Sequence, residues 1–308
     1  MSFRRGILEY FVAVAEEGQM TRAARRLQVA QPVLSQAIAQ LEAEFGLRLL
    51  DRHARGVSLT PAGAVLYEKA RHAVAANLDA VQTARSLARS QAGTIDFGFV
   101  GSAPGLDSPE ALEAFASAYP EIEIRYRELP FPTLPTARWL ADVDVVACHL
   151  PPPDPSVWTR PLRREPRMIL APRRHPLARG DELNLEDVLG EAYIGFAPAI
   201  DRSWAGFWSL DDHRGGPPER ITADGAANPQ EVIAAVAMSE AITAVPASVA
   251  GVILNVLSAV TAIRLREATP SLVVLAGHEG RVNPLVDTLL AFAAGGRIAS
   301  QADLPAAG

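Results

Sequence analysis

The sequence predicts a mixed α/β chain in three parts: an N-terminal winged helix-turn-helix, a long helix, and an α/β body. Three observations carry this. Two helical stripes separated by a three-residue break lie within residues 18–46. A stretch without helix breakers, sparse in apolar residues, runs from residue 61 to about 91. From Gly93 onward short apolar runs alternate with helical periodicity, the pattern of a parallel sheet.

Residues 4–17 place Ile7, Leu8, Phe11, Val12 and Val14/Ala15 on one helical stripe, and Gly18 ends it. Ala23, Ala24 and Leu27 then sit at helical spacing, and Leu34, Ile38, Leu41 and Phe45 recur at i, i+4, i+7 and i+11. The connection Gln28-Val29-Ala30 allows only a tight turn, and the two alanines let the second helix cross close to the first. Pro32 falls in the first turn of that second helix, where a missing N–H costs nothing.

With Leu34, Ile38 and Leu41 turned inward, the opposite face presents Gln31, Pro32, Ser35, Gln36 and Ala39. These groups suit base edges: an amide can bond adenine N6 and N7 together, a hydroxyl can serve any base, and small apolar groups can lie against a thymine methyl. No Arg or Lys occurs between Arg26 and Arg48, so phosphate neutralisation falls to the flanks: Arg22, Arg25 and Arg26 before the helix, Arg48, Arg52 and Arg55 after it. The bland alternative is a solvated amphipathic hairpin. The coincidence of turn, Pro and polar outer face favours contact with double-stranded DNA.

Leu47, Leu49 and Leu50 predict a short outgoing strand, His53–Gly56 a tight tip and Val57–Leu59 a returning strand, a wing whose Arg52 and Arg55 could enter a minor groove. Thr60 caps the long helix and Pro61 opens it. Ala62, Val65, Leu66, Ala73, Ala76, Ala80, Val81 and Leu87 make a narrow apolar seam on it. Such a helix cannot bury itself alone, so a second copy of the chain is its expected partner.

Charge is divided to match. The net charge is −6, yet residues 1–92 hold 12 basic and 8 acidic residues while the remainder holds 17 and 27. A basic head on an acidic body confines nucleic-acid contact to one end. Cys148 is the single cysteine, which excludes a disulfide within the chain and fits a cytoplasmic protein. Arg4-Arg5 precedes an apolar run, but Glu9, Glu16 and Glu17 interrupt or end it, so it reads as a first helix and not an export signal. No window is long and apolar enough to span a membrane.

Beyond Gly93 the expected elements are strands at 94–100, 122–129, 143–147, 168–171, 193–196, 221–223, 241–245, 262–265 and 272–276, with helices at 108–119, 133–141, 185–189, 229–238, 247–254 and 284–294. Pro151-Pro152-Pro153 and Pro155 break the pattern. There is no P-loop, GxGxxG, GxSxG, HExxH or paired-cysteine site, so no cofactor, metal or catalytic group is expected. Cys148-His149 could suggest a nucleophile with its base, but neighbours on a strand point to opposite faces. Trp139, Trp158, Trp204 and Trp208 share no helical spacing as a set and read as core or interface.

Residues 3–66 resemble the DNA-binding domain of the LysR-type transcriptional regulators. The resemblance rests on Phe11, Ala23-Ala24, Leu27, Gln31-Pro32, Leu34-Ser35, Ile38, Leu41-Glu42, Gly46, Leu49, Arg52 and Leu59-Thr60-Pro61-Ala62-Gly63. It extends more loosely into the body through Gly98-Phe99-Val100-Gly101-Ser102, Phe115 with Tyr119-Pro120, Asp144, His175-Pro176-Leu177-Ala178 and Ala244-Val245-Pro246-Ala247. Three departures stand out. Ala30 replaces a common Ser before Gln-Pro and removes a helix cap worth about 1 kcal/mol. Gln36 stands where relatives often carry a basic residue. Met238-Ser239-Glu240-Ala241 replaces glycines, so a turn there that needed positive φ would be strained.

The resemblance implies a periplasmic-binding-protein-like architecture: an α/β effector domain (92–308) of two lobes, about 92–162 with 266–298 and about 163–265, behind a winged helix-turn-helix DNA-binding domain (1–60) and a linker helix (61–91). It implies an inducer between the lobes, lined here by Ser102 and Ala103, Pro130 and Phe131, Phe196, Ala197 and Pro198, and Ala226-Ala227-Asn228 before the helix at Pro229. Ligands at strand carboxyl ends suit open α/β sheets, and free N–H groups at a helix start suit a carboxylate. No lining residue is cationic, which points to a small, largely apolar effector, a weak organic acid among the options. A homodimer or homotetramer, with RNA polymerase as a further partner if the protein activates, completes the expectation. Two other readings are a solute-binding module or enzyme on a periplasmic-binding-type fold with a helical dimerisation head, and an architectural DNA binder whose lobes bind nothing.

Overall fold

The computed structural model describes residues 5–53, 56–100, 109–133, 139–149, 154–280 and 283–294. It divides into two compact units, Met1–Val81 and Gln82–Gly308, and the division falls inside a single helix.

The first unit contains α1 (Arg5–Glu17), α2 (Met20–Arg26), α3 (Gln31–Phe45), β1 (Leu50–His53), β2 (Gly56–Leu59) and most of α4 (Pro61–Gln91). Phe11, Ala23, Leu34, Ile38 and Leu41 are fully buried at its centre, as their spacing predicts. The turn between α2 and α3 is a left-handed cap: Gln28 adopts φ +56°, its N–H reaches the Arg25 carbonyl, and the Val29 N–H reaches that of Ala24. Ala30 supplies no side-chain cap to α3.

The wing starts later than expected. Leu47 is exposed and stands outside it, while the Glu42 carboxylate accepts from Leu49 N (2.7 Å) and Leu50 N (3.1 Å), so pairing begins at Leu50. Thr60 fastens the far end: its hydroxyl donates to the Arg48 carbonyl (2.8 Å) and accepts from Gly63 N (3.0 Å). Gly63 lies so close to the Leu49 carbonyl that any Cβ there would overlap it.

The seam expected on α4 divides between two faces. Ala62 and Leu66 pack with Tyr67, Ala70 and Val74 onto the first unit's core. Val65 (70% exposed), Ala73, Ala76 and Ala80 are left on a second, exposed stripe about a quarter of the circumference wide at 3.6 residues per turn. Val81 and Leu87 are exposed as well.

The second unit holds two sheets. In the first, with order β4-β3-β5-β13-β6, β3 (Thr94–Val100) pairs in parallel with β4 (Glu123–Leu129) and β5 (Val145–His149), and β13 (Ser271–His278) runs antiparallel between β5 and β6 (Val157–Glu165). α5 (Pro109–Ala118) and α11 (Pro284–Phe292) cover one face. The second sheet has the order β11-β7-β12-β8, from β7 (Arg167–Pro172), β8 (Glu182–Leu183), β11 (Thr243–Pro246) and β12 (Val260–Leu265). A parallel pair, β9 (Tyr193–Phe196) with β10 (Ile221–Ala226), joins it through a bridge between Tyr193 and Ile242. Its helices are α6 (Leu185–Leu189), α7 (Arg202–Trp208), α8 (Asp211–Arg214), α9 (Pro229–Met238) and α10 (Ala247–Val256). Of the helix expected at 133–141, residues 134–138 lie outside the described residues.

The chain passes between these sheets twice, at Pro166 and between Leu265 and Ser271. Arg167, fully buried, donates to the Phe207 carbonyl (2.7 Å) and to both Asp212 oxygens (3.1 and 2.7 Å), and it lies over the Phe207 ring. On the other passage Thr269 N donates to His213 Nε2 (3.0 Å). Asp144 ties the first sheet together. It accepts from Ser86 Oγ (2.7 Å), both Arg89 nitrogens (2.9 and 2.6 Å), Asp96 N (3.0 Å) and Asn283 Nδ2 (3.1 Å). Burial alone would raise the Asp144 pKa; these donors hold it below the usual carboxylate range.

The Met238–Ala241 turn needs no left-handed residue. Ser239 sits at φ −119°, and the Arg174 guanidinium binds the Ala237 and Ser239 carbonyls and the Glu240 carboxylate. The strain expected from the missing glycines does not arise.

Candidate nucleic-acid interface and ligand cavity

The outward face of α3 forms as its sequence requires. Gln31, Pro32 and Gln36 are exposed and Ser35 is half-buried, while Leu34, Ile38 and Leu41 are buried. Gln31 Nε2 donates to Ser35 Oγ at 2.9 Å. The pair keeps the Gln31 carbonyl oxygen, one amide hydrogen and the Ser35 hydroxyl proton available for a base edge.

The flanking cations are not equivalent. Arg25, Arg48 and Arg52 are exposed and enter no ion pair among the described residues. Arg22 donates to the Glu17 carbonyl, with its Nε 3.9 Å from the Glu17 carboxylate. Arg26 faces inward instead, held by Glu16 (2.5 Å) and Glu17 (3.1 Å). Burial would lower its pKa, and the two carboxylates more than reverse this. Arg26 is therefore an internal clamp between α1 and α2. Arg55 lies outside the described residues.

A cavity with about 640 Å³ of atom-free space, mouth included, opens in the second unit at the ends of β3 and β5. Its walls are almost wholly apolar, with Phe131, Phe196, Trp204, Trp208, Val232 and Val245 prominent. Of the lining inferred from sequence, Phe131 and Phe196 stand here, 5.9 Å apart edge to face. Pro130 and Pro198 are exposed, and neither they, Ala197 nor Asn228 lines the cavity. Ser102 and Ala103 lie outside the described residues.

The helix start at Pro229 is already occupied. Asn228 Oδ1 accepts from Glu231 N (3.0 Å), while the Glu231 carboxylate accepts from Ala227 N (2.7 Å) and Asn228 Nδ2 (2.8 Å). A bound carboxylate would have to displace Glu231, so the amide anchor expected there is closed by the protein's own cap.

Sequence reasoning missed the indoles. Trp204 and Trp208, four residues apart on α7, present one aromatic face to the cavity, a spacing visible in the pair though not in the four tryptophans as a set. Cys148 and His149 both line the cavity, contrary to the expectation of opposite faces: they are the last two residues of β5, and the His149 ring stands 5.9 Å from that of Trp208. Burial pushes the Cys148 thiol far up. Among the described residues no cluster of three or more His, Cys, Asp or Glu could hold a metal, and no helix is long and apolar enough to cross a membrane.

Residues 7–64 match the family described as bacterial regulatory helix-turn-helix protein, LysR family, and residues 88–296 match the LysR substrate binding domain. The chain belongs to the LysR family. This is a family of transcriptional regulators and not of enzymes. TfdS of Cupriavidus pinatubonensis (strain JMP 134 / LMG 1197), named as a transcriptional regulator, is 32% identical over 257 residues, covering 82% of this chain and 84% of TfdS. AlsR of Bacillus subtilis (strain 168) is 33% identical over 190 residues, covering 62% of this chain and 63% of AlsR. The crystal structure of full-length BenM, 26% identical, superposes with a TM-score of 0.50 over 95% of this chain and 96% of that one. The LysR fold thus accounts for the head, the long helix and the two sheets together.

Proposed function

We propose that this LysR-family protein binds double-stranded operator DNA in the cytoplasm as a homodimer or homotetramer and regulates transcription in response to a small molecule held in the aromatic cavity. The Gln31–Ser35 pair, on a helix flanked by the exposed Arg25, Arg48 and Arg52, carries the DNA part of this reading. In it, α3 enters a major groove and reads bases through Gln31, Pro32, Ser35 and Gln36. Arg22, Arg25, Arg52 and Arg55 contact phosphates or the minor groove. Residues 1–60 bind DNA, 61–91 pair the chains through the exposed Val65–Ala80 stripe, and 92–308 sense the effector. RNA polymerase is a partner if the protein activates.

The effector shifts the balance between two arrangements of the lobes, and so the spacing or bend of the bound DNA. Footprinting on genomic DNA, with and without candidate ligands, tests the whole reading. A protected pair of half-sites whose pattern changes with ligand is the expected result. Equal affinity for selected and random DNA, with no ligand effect, would sink it.

A further inference from the structure

We propose that the aromatic cavity takes an uncharged, ring-sized apolar molecule with a single hydrogen-bond acceptor, and that the Trp208 indole N–H is the donor to it. This rests on the cavity being the effector site. The walls are rings and branched aliphatics, with no Lys or Arg among the described lining residues. Two of the polar side chains on the wall are committed. Trp204 Nε1 donates to the His149 carbonyl (3.1 Å), and the Thr243 hydroxyl lies 3.4 Å from the Trp208 and Ala244 carbonyls. His149 is buried edge-on to the Trp208 ring (5.9 Å, 80°).

Trp208 makes no such bond. It is 4% exposed, stands on the cavity wall, and its Nε1 has no acceptor within hydrogen-bond reach among the described residues. A buried donor of this kind favours a ligand that answers it. A carboxylate fits badly, because it would leave water for an apolar pocket without a balancing Lys or Arg, and Glu231 already fills the amide cradle at Pro229. A pure hydrocarbon fills the space and leaves the indole N–H unanswered. A neutral molecule with one acceptor, such as a ketone, satisfies both demands.

Three probes of similar size separate these cases: toluene, acetophenone and benzoate, titrated calorimetrically into the full-length protein and followed in parallel by DNA footprinting. Acetophenone should bind about tenfold more tightly than toluene, the factor expected of one hydrogen bond, and more tightly still than benzoate. In Trp208→Phe the advantage of acetophenone over toluene should vanish while toluene binding persists, which also shows that the variant is folded. Tightest binding by benzoate, an advantage surviving in Trp208→Phe, or no binding by any probe would overturn the inference. Failure of the underlying reading looks different: probes bind in the expected order and leave the footprint unchanged.

Discussion

Gln31 donates its side-chain amide to the hydroxyl of Ser35, one turn further along the same exposed helix face, at 2.9 Å. Each group therefore holds the other in place before DNA arrives, and their effects on recognition should not be independent. Gln31→Ala should cost about 1–3 kcal/mol of discrimination between operator and scrambled duplex. Ser35→Ala should cost part of the same energy, and the double variant less than the sum of the two. Fluorescence anisotropy in a double-mutant cycle reads the coupling. Strict additivity would remove the pre-organised pair from the mechanism.

Two neighbouring arginines should behave oppositely. Arg52, exposed and without an ion pair among the described residues, should on conversion to Ala weaken binding to all sequences and lower the salt-dependence slope by about one. Arg26, clamped by Glu16 and Glu17, should on conversion to Ala leave that slope unchanged and destabilise the helix-turn-helix by about 1–3 kcal/mol, measured by urea denaturation.

Asp144→Asn should destabilise the second unit by about 1.5–3 kcal/mol, since it weakens the charge-assisted bonds from Arg89 while Asp96, 3.3 Å from Arg89 Nε, still balances that guanidinium. The pH dependence has a definite sign. Asp144 is held below its unfolded pKa of about 3.9, so its contribution is present above that value and disappears as pH falls through the lower, folded value. Wild-type stability should drop on acidification below about pH 4, and that component should be missing from Asp144→Asn.

Gln28 pays for its left-handed φ of +56° with side-chain crowding, so Gln28→Val should cost about 1–2 kcal/mol while Gln28→Gly should be neutral or stabilising. Thermal melts of the two variants decide it. A Val variant as stable as the parent would show that the turn tolerates a β-branched residue.

Cys148 should resist alkylation in the folded protein by orders of magnitude relative to the denatured chain, because burial keeps it a thiol. Mass spectrometry after iodoacetamide treatment measures the difference. Rapid labelling under native conditions would open a redox role that its surroundings argue against.

The head was legible because its signals are local. Helical spacing, the Pro at Pro32 and the Thr60–Gly63 motif each act within a few residues. In the body the interior strands could be read from apolar runs, but β6 was missed. Among the described residues it is an edge strand paired with β13 alone, with Leu162 and Glu165 its two buried residues and Pro161 at a register shift, so it shows neither a run nor an alternation. α7 and α8 were missed because they are short, seven and four residues. The cavity was half legible. Phe131 and Phe196 follow from strand ends, whereas Trp204, Trp208 and the β11–α10 wall arrive from elements distant in sequence, and the capping of Pro229 by Glu231 depends on side-chain geometry that spacing does not fix.

The four residues of α8 grip both passages of the chain between the sheets, Asp212 through Arg167 on one and His213 through Thr269 on the other. A displacement of either passage is therefore passed to the other through the side chains of one short helix.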